Sequence, residues 1–163
     1  MLYLFGNGPA PIGTPFAGTA TGATTKVLLQ VRIGTPIAVK IVEWGVSFDG
    51  QTTGTPIKVE LIEVDAGASV TSAAALDVVK WDDPNQPAST VTLGGTATGY
   101  WAVLNGTPTT SRIFGAHLIA PTNQFVQQYP LGREPMGNVS KFVQIRVTAA
   151  VSVNSYAYII WEE

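Results

Sequence analysis

The sequence predicts an all-β domain, an antiparallel β-sandwich of the jelly-roll type with at most one short helix. Runs of alternating apolar and polar residues recur about every 8 to 12 residues, which is the pattern of half-buried strands. Turn-forming residues separate these runs, and the chain contains 17 glycines and 11 prolines. Its 163 residues suffice for one domain with a buried core, which we place at residues 25–163.

The longest predicted strand is residues 36–49, PIAVKIVEWGVSFD, which are rich in β-branched and aromatic side chains and contain no turn signal. The apolar residues up to Ile41 share one parity, whereas those from Trp44 onward have the opposite parity. One extra residue near Val42 and Glu43, a β-bulge, would return both sets to the same core. The alternative is a strand that is buried on both faces.

Two further strands flank this one in the sequence. Residues 25–33, TKVLLQVRI, alternate with Leu28 as the exception, and residues 57–64, IKVELIEV, alternate as well. The short connection at residues 34–36 predicts an antiparallel hairpin. A second turn, over residues 49–56, would complete a meander of three strands.

The remaining chain predicts shorter elements. Residues 71–80 could form one short helix that begins at a Thr-Ser cap and ends before the first of two closely spaced prolines. Residues 121–137 contain three prolines and are predicted to cross from one sheet to the other. Further strands are predicted at residues 90–93, 100–104, 112–120, 141–148 and 153–161.

The first 24 residues differ from the rest in being rich in Gly, Pro, Thr and Ala. Their prolines rule out a helix, so we interpret residues 1–24 as an extended arm outside the domain. The apolar tip of this arm is predicted to fill a groove on a neighbouring subunit. The alternative is a strand that folds back on its own sheet. The tip consists of Leu2, Tyr3, Leu4 and Phe5.

Composition excludes several classes of function. Only 12% of the residues are charged and the formal net charge is −2, so no basic patch for nucleic acid is predicted. The chain has no cysteine, which excludes disulfides and thiolate metal sites. No stretch approaches the ~20 apolar residues that span a membrane, and no signal peptide is predicted. Low charge with 45% hydrophobic residues favours burial in a homo-oligomer.

Residues suited to catalysis are few. His117 is the one histidine, so neither a triad nor a metal cluster is predicted, and we interpret it as structural. Glu43, Glu60 and Glu63 lie on strands predicted to be neighbours, and a pair of carboxylates could hydrolyse a glycoside. Glu60 is more simply the solvent-facing member of an alternating strand. We therefore assign no catalytic residue, cofactor or metal, and predict that the chain is not an enzyme.

Two groups of residues are candidates for binding. Trp81, Tyr100 and Trp101 lie in or beside predicted loops and could stack on sugar rings; the alternative is that they cover the ends of the core. Arg133 and Glu134 form an isolated charge pair in a neutral segment and are a candidate subunit contact. The alternative for this pair is an intrachain bridge at a turn.

Four stretches in order resemble a family of small virion structural proteins of tailed phages that infect actinobacteria, proposed to be capsid decoration (cement) proteins. They are EWGVSFDG, PIKVELIE, APTNQFVQQYPLGREP and the terminal YIIWEE, and the resemblance covers residues 25–163. It implies a non-enzymatic β-sandwich, made in the host bacterial cytoplasm. This protein would bind the major capsid protein on the outer surface of the head, commonly as a homotrimer. The alternatives are a tail or baseplate component and a carbohydrate-binding β-sandwich.

Overall fold

The computed structural model describes residues 1–50 and 54–163, apart from the side chains of residues 103–104. The predicted turn over residues 49–56 therefore lies partly outside the described residues. Among the described residues, one 3₁₀ turn, Ala75–Asp77, accompanies the strands. In chain order the strands are β1 (Leu2–Gly6), β2 (Thr19–Ala20), β3 (Thr25–Arg32), β4 (Val39–Phe48), β5 (Ile57–Val64), β6 (Ser69–Ser72), β7 (Val78–Lys80), β8 (Gly99–Leu104), β9 (Ser111–Ile119), β10 (Gln124–Gln128), β11 (Met136–Gly137), β12 (Phe142–Thr148) and β13 (Asn154–Glu162).

These strands form two antiparallel sheets packed face to face, which confirms the predicted all-β sandwich. Sheet A has the order β10-β4-β13-β1-β7, with β2 beside β13 and β11 beside β4. Sheet B has the order β6-β8-β3-β12-β5-β9. One core lies between them, and its largest fully buried side chains include Trp44 and Trp161 from sheet A and Leu29, Leu61 and Ile145 from sheet B.

The bulge predicted in the central strand is confirmed. β13 pairs with β4 on both sides of Val42 but skips that residue. As a result Ile41 and Trp44, which have opposite parity in the sequence, are both buried in the core. β3 contains a second bulge, because β12 skips Leu28 between Val27 and Leu29. This bulge explains why Leu28 interrupts the alternation of that strand.

The predicted three-stranded meander is wrong. β3 and β5 lie in sheet B, whereas β4 lies in sheet A, so residues 33–38 cross the sandwich instead of turning back. Gly34 packs so closely on Thr90 that a side chain there would overlap the Thr90 carbonyl. A strand with one apolar face can cover the same core from either sheet, so a short connection by itself does not decide between a hairpin and a crossing.

The predicted helix over residues 71–80 is also wrong. The segment instead forms β6, the 3₁₀ turn and β7. The Asp77 carboxylate accepts the backbone N–H groups of Ala74 and Ala10 and thereby holds the turn. β7 then pairs with β1, and this long-range pairing outweighs the weak helical preference of the segment.

Two other segments differ in detail from their predictions. Residues 121–137 lie between strands of sheet B and cross to sheet A as predicted, but they also contain β10 and β11. The predicted strand at residues 90–93 is reduced to one bridge, between Thr92 and Arg32.

Residues 2–6 belong to the chain's own sheet, so the expectation of an arm docked on a neighbour is corrected to the intramolecular alternative. β1 pairs with β13 on one side and with β7 on the other. Tyr3 is 1% exposed and Phe5 is 0% exposed, and both lie in the core. The Tyr3 ring stacks on Trp161 with centroids 6.0 Å apart. The position between two strands gains both backbone hydrogen bonds and apolar burial, which a free arm lacks.

The rest of the predicted arm, residues 7–24, continues from β1 and is anchored to β13. Asn7 is fully buried, and its amide donates to the Ser155 carbonyl and accepts from the Ala157 N–H. Further along, β2 pairs with β13. Between these two anchors the ring of Phe16 lies against Gly6, on the outer face of sheet A. Residues 1–24 are therefore part of the sandwich.

Candidate interaction surfaces

The three aromatic residues proposed to stack on a sugar do not lie together. Trp81 follows β7 of sheet A and is 54% exposed. Tyr100, on β8 of sheet B, packs against the core with its ring 6.4 Å from that of Phe5. Trp101 is 43% exposed, and the Lys26 Nζ atom lies 4.6 Å from its ring centroid. These positions provide no three-ring platform for a sugar.

Trp81 instead contributes to a groove on the outer face of sheet A. The groove has a volume of about 400 Å³, and its lining consists almost entirely of carbon atoms. We name it the aromatic groove. Its principal side chains are Leu4, Phe16, Val79, Trp81, Tyr156 and Tyr158.

Strand parity explains how the sequence builds the aromatic groove. Leu4 alternates with the buried Tyr3 and Phe5, so it faces outward, and it pairs with Val79 of β7. The Phe16 ring, from the segment after β1, lies 5.8 Å from the ring of Tyr156 on β13. The sequence signal for the groove lies in β13, NSYAYIIWE, where Tyr156 and Tyr158 share the parity that faces outward.

Tyr158 is held rigidly on one side of the aromatic groove. Its hydroxyl donates a 2.5 Å hydrogen bond to Glu43 Oε1. Its ring lies directly over Gly45, where a Cβ atom would come within 2.5 Å of the ring. Burial, together with the Glu43 carboxylate, raises the pKa of Tyr158. The hydrogen bond to Glu43 and the contact with Gly45 hold the ring in place at the wall of the groove.

The chain segment just after Trp81, beyond the lining of the aromatic groove, is acidic. Asp82 and Asp83 follow Trp81 directly and are both exposed. Asp82 Oδ1 accepts the N–H of Asp83, and Asp83 Oδ1 accepts the N–H of Asn85, which forms a local turn. Neither carboxylate forms a salt bridge with any residue that the structure describes. Lys80 is the nearest basic residue in the sequence, and its Nζ atom lies 3.4 Å from the Pro84 carbonyl oxygen.

The charge pair predicted at a subunit contact lies on an exposed loop, residues 129–135, which we name the 130s loop. Leu131 in this loop is 95% exposed, more than any other large apolar side chain that the structure describes. The Gly132 N–H donates to Glu134 Oε2, so Glu134 stabilises the turn itself. Within the described chain, Arg133 and Glu134 do not form an ion pair with each other. The role of the pair in a contact stays a prediction.

A second apolar surface lies on β9, which forms one edge of sheet B. Ile113 is 62% exposed and Leu118 is 74% exposed. Ala116 lies between them, and a bulge at Phe114 keeps all three on the outer face. We name these three residues the β9 surface. An edge strand with exposed aliphatic side chains offers both backbone groups and apolar area to another chain.

The glutamates considered for glycoside hydrolysis are held by separate partners. Glu43 lies in sheet A, whereas Glu60 and Glu63 lie on β5 of sheet B. Glu60 is 6% exposed and pairs with Arg146 at 2.9 Å, so the expectation that it faces solvent is wrong. Glu63 pairs with Arg112 at 3.1 Å. The basic partners come from neighbouring strands, which the sequence pattern could not identify.

His117 is half-buried, with its ring centroid 4.1 Å from that of Phe125 and 5.9 Å from that of Trp44. This packing supports the structural interpretation of the histidine. In residues 1–50 and 54–163, the acidic and histidine side chains form no group of three or more that could hold a metal ion. Across the same residues, no helix is long and apolar enough to cross a membrane.

The fold defines the chain as an antiparallel β-sandwich that displays three apolar features, namely the aromatic groove, the 130s loop and the β9 surface. Comparisons with protein-family models, with curated proteins and with solved structures found no match to this chain. Support for a function therefore comes from these surfaces and from the sequence segments described above.

Proposed function

We propose that the chain is a non-enzymatic structural protein of a tailed-phage virion, a capsid decoration (cement) protein that binds the outer surface of the head and stabilises it. The observation that carries this proposal is the β9 surface. It lies on an edge strand of nine residues and exposes Ile113 and Leu118 to solvent. The segments that resemble the phage family supply the partner, which is the major capsid protein.

The β9 surface can bind a protein neighbour in two ways. Burial of a large aliphatic side chain is worth about 1.5 to 3 kcal/mol, and Ile113 and Leu118 provide two. The free edge of β9 can also form backbone hydrogen bonds with an added strand, which fixes the direction of docking. A protein that binds the assembled lattice but not its free subunits stabilises the lattice by mass action.

We predict that charges on the β9 surface weaken binding to heads. Purified protein is mixed with heads that lack it, and co-sedimentation measures the bound fraction. We expect Leu118→Lys and Ile113→Lys each to weaken binding by about 10-fold or more, since each places an ammonium group in an apolar contact. Ile12→Lys is the matched control, because Ile12 is 70% exposed in the segment between β1 and β2 of sheet A. Failure of the wild-type protein to bind heads would contradict the proposal.

Cryo-electron microscopy of the particle that contains the chain separates the head from the tail. Density for the sandwich on the outer surface of the head is the expected result. Density on the tail or baseplate would replace the decoration role with the alternative of a tail component.

The carbohydrate-binding alternative has less support. A sugar site combines a stacking ring with polar groups that orient the hydroxyls, whereas the aromatic groove has almost no polar lining. Binding of host-cell polysaccharide that is lost in Trp81→Ala would favour this alternative over capsid decoration.

A further inference from the structure

We infer that the 130s loop of one copy docks in the aromatic groove of a second copy, so that identical chains associate head to tail. This inference rests on the proposed structural role for its biological setting and adds the identity of a subunit contact. It uses two surfaces of the same chain that match in polarity, in charge and in position.

The two surfaces match in polarity. Leu131 exposes 95% of its surface at the 130s loop, although leucine gains free energy when it leaves water. The aromatic groove is a concave, carbon-lined space of about 400 Å³ that offers little to a polar ligand. The walls are rigid, because Tyr158 is held by Glu43 and the Phe16 ring lies against Tyr156. A preformed apolar groove is suited to an exposed apolar side chain.

The two surfaces also match in charge. Arg133 is exposed two residues after Leu131, and Glu134 beside it accepts the N–H of Gly132 within the loop. Next to Trp81 in the chain, Asp82 and Asp83 outnumber the one ammonium group of Lys80, which lies near the Pro84 carbonyl. With Leu131 in the groove, Arg133 can approach the two carboxylates. Such complementarity favours this partner over proteins with an acidic contact loop.

The two surfaces lie apart within one chain, because the lining of the aromatic groove includes no residue of the 130s loop. The loop leads into β11, at one side of sheet A, and the groove extends from β13 to Val79 of β7, the strand at the opposite edge. Strands lie about 4.8 Å apart, so the near wall at β13 is about 10 Å from β11 and the far wall at β7 is about 19 Å from it. The groove that the loop leaves empty in its own chain is open to the loop of a neighbour.

The register of the strands brings both surfaces to the same end of sheet A. Met136, just after the 130s loop, pairs with Lys40, which pairs with Glu162, which in turn pairs with Leu2. The Trp81 N–H donates to the Leu2 carbonyl and completes this row. A contact between two different patches of one chain is heterologous; it gives a ring if the rotation between neighbours closes and an open filament if it does not. The homotrimer that the family resemblance implies would be one such ring.

The test uses two variants of the full chain in analytical ultracentrifugation. Leu131→Asp removes the apolar side chain of the loop and leaves the groove intact, whereas Val79→Arg fills the groove with charge and leaves the loop intact. We expect the wild-type protein to assemble between about 1 and 100 μM. Each variant alone should be monomeric at concentrations where the wild type is assembled. An equimolar mixture should form a heterodimer through the one contact that remains, which a contact between two identical patches cannot do.

Matched variants separate the loss of this contact from the effects of added charge and of altered folding. Val151→Asp, at a side chain that is 69% exposed on the loop between β12 and β13, should assemble like the wild type. Arg133→Glu should weaken assembly by about 10-fold, and Asp82→Lys combined with Asp83→Lys should restore it. Circular dichroism must show the same thermal unfolding for the Leu131→Asp and wild-type monomers. If Val79→Arg fails to fold, Trp81→Ala tests the groove in its place.

Three results would overturn the inference. These are a wild-type protein that stays monomeric at about 100 μM, variants that assemble like the wild type, and a mixture of variants that forms no heterodimer. Head binding is measured separately on the same proteins. Loss of assembly by Leu131→Asp with retention of head binding leaves both conclusions standing, whereas assembly without any head binding contradicts only the proposed function.

Discussion

Gln30 shows how one polar side chain organises the outer face of sheet B. It is fully buried, and its Nε2 atom donates to the carbonyls of Ala68, Thr96 and Ala97 at 2.6–3.2 Å. Its Oε1 atom accepts the N–H of Ala68 and the side-chain amide of Gln144. Ala68 and residues 96–97, which lie on two separate loops, are thereby fixed to the sheet.

We predict that Gln30→Leu lowers the free energy of unfolding by about 2 to 4 kcal/mol. The substitution keeps the approximate size of the side chain but leaves several buried backbone groups without a partner. Gln124→Leu is the control, because Gln124 is exposed on β10 and should change stability by less than about 0.5 kcal/mol. Urea denaturation measures both variants. Equal effects of the two substitutions would show that the network around Gln30 contributes little.

Tyr158 predicts how stability depends on alkaline pH. Burial first, and then Glu43, raises its folded-state pKa above the ordinary tyrosine value of 10.0. The folded protein therefore retains the phenolic proton more strongly than the unfolded chain does. The resulting stability is fully present below pH 10 and is lost as the pH rises above that value.

We expect Tyr158→Phe to weaken this alkaline dependence. Denaturation midpoints are compared at neutral pH and at several values above pH 10, with Tyr156→Phe as the exposed control on the same strand. The Tyr158→Phe variant should lose less stability between the two conditions than the wild type. An unchanged slope would assign the alkaline dependence to other groups.

Among the elements, β1 differs most from its predicted role, because it is a strand of the sandwich and not part of an arm. It lies between β13 and β7, so its removal would break two strand pairings at once. It also provides two aromatic side chains to the core. A strand in this position belongs to the folding unit and is not available for exchange with a neighbour in the folded state.

We predict that Phe5→Ala lowers the free energy of unfolding by about 3 to 5 kcal/mol, because it creates a cavity at a fully buried position. Leu76→Ala, at a side chain that is 69% exposed in the 3₁₀ turn, should have little effect. Deletion of residues 2–24 should abolish cooperative thermal unfolding. A melting temperature that is unchanged by the deletion would restore the interpretation of a separate arm.

At the level of the whole molecule, the core between the two sheets coexists with apolar side chains that remain exposed. The chain has only 12% charged residues, and solubility of a monomer depends on charge. Exposed side chains on β9, in the 130s loop and around the aromatic groove are the sites where partners would remove apolar area from water. This distribution of apolar side chains is the basis of the proposed role in an assembly.

Self-association should make thermal stability depend on protein concentration. We expect the melting temperature of the wild type to rise between about 1 and 100 μM, because assembly binds only folded chains. The melting temperature of Leu131→Asp should not change over this range. Differential scanning fluorimetry measures both proteins. A wild-type melting temperature that is independent of concentration would contradict self-association.

Local patterns in the sequence predicted the longer strands and the class of the fold. Period-two alternation identified residues 57–64 as a strand with the same bounds that the structure has, and the change in parity around Val42 located a bulge. The all-β sandwich followed from the number and spacing of such runs. These features depend on residues that are close in the sequence, since alternation reports which side of a strand is apolar.

Only the tertiary structure decided which strands are neighbours. Parity does not name a partner, so β3 and β4 were assigned to one hairpin although they cover the core from opposite sheets. The same limit applied to β1, whose place between β13 and β7 depends on pairings across most of the chain. It applied also to the aromatic groove, where Phe16, Val79 and Tyr156 meet because three distant segments share one face of sheet A.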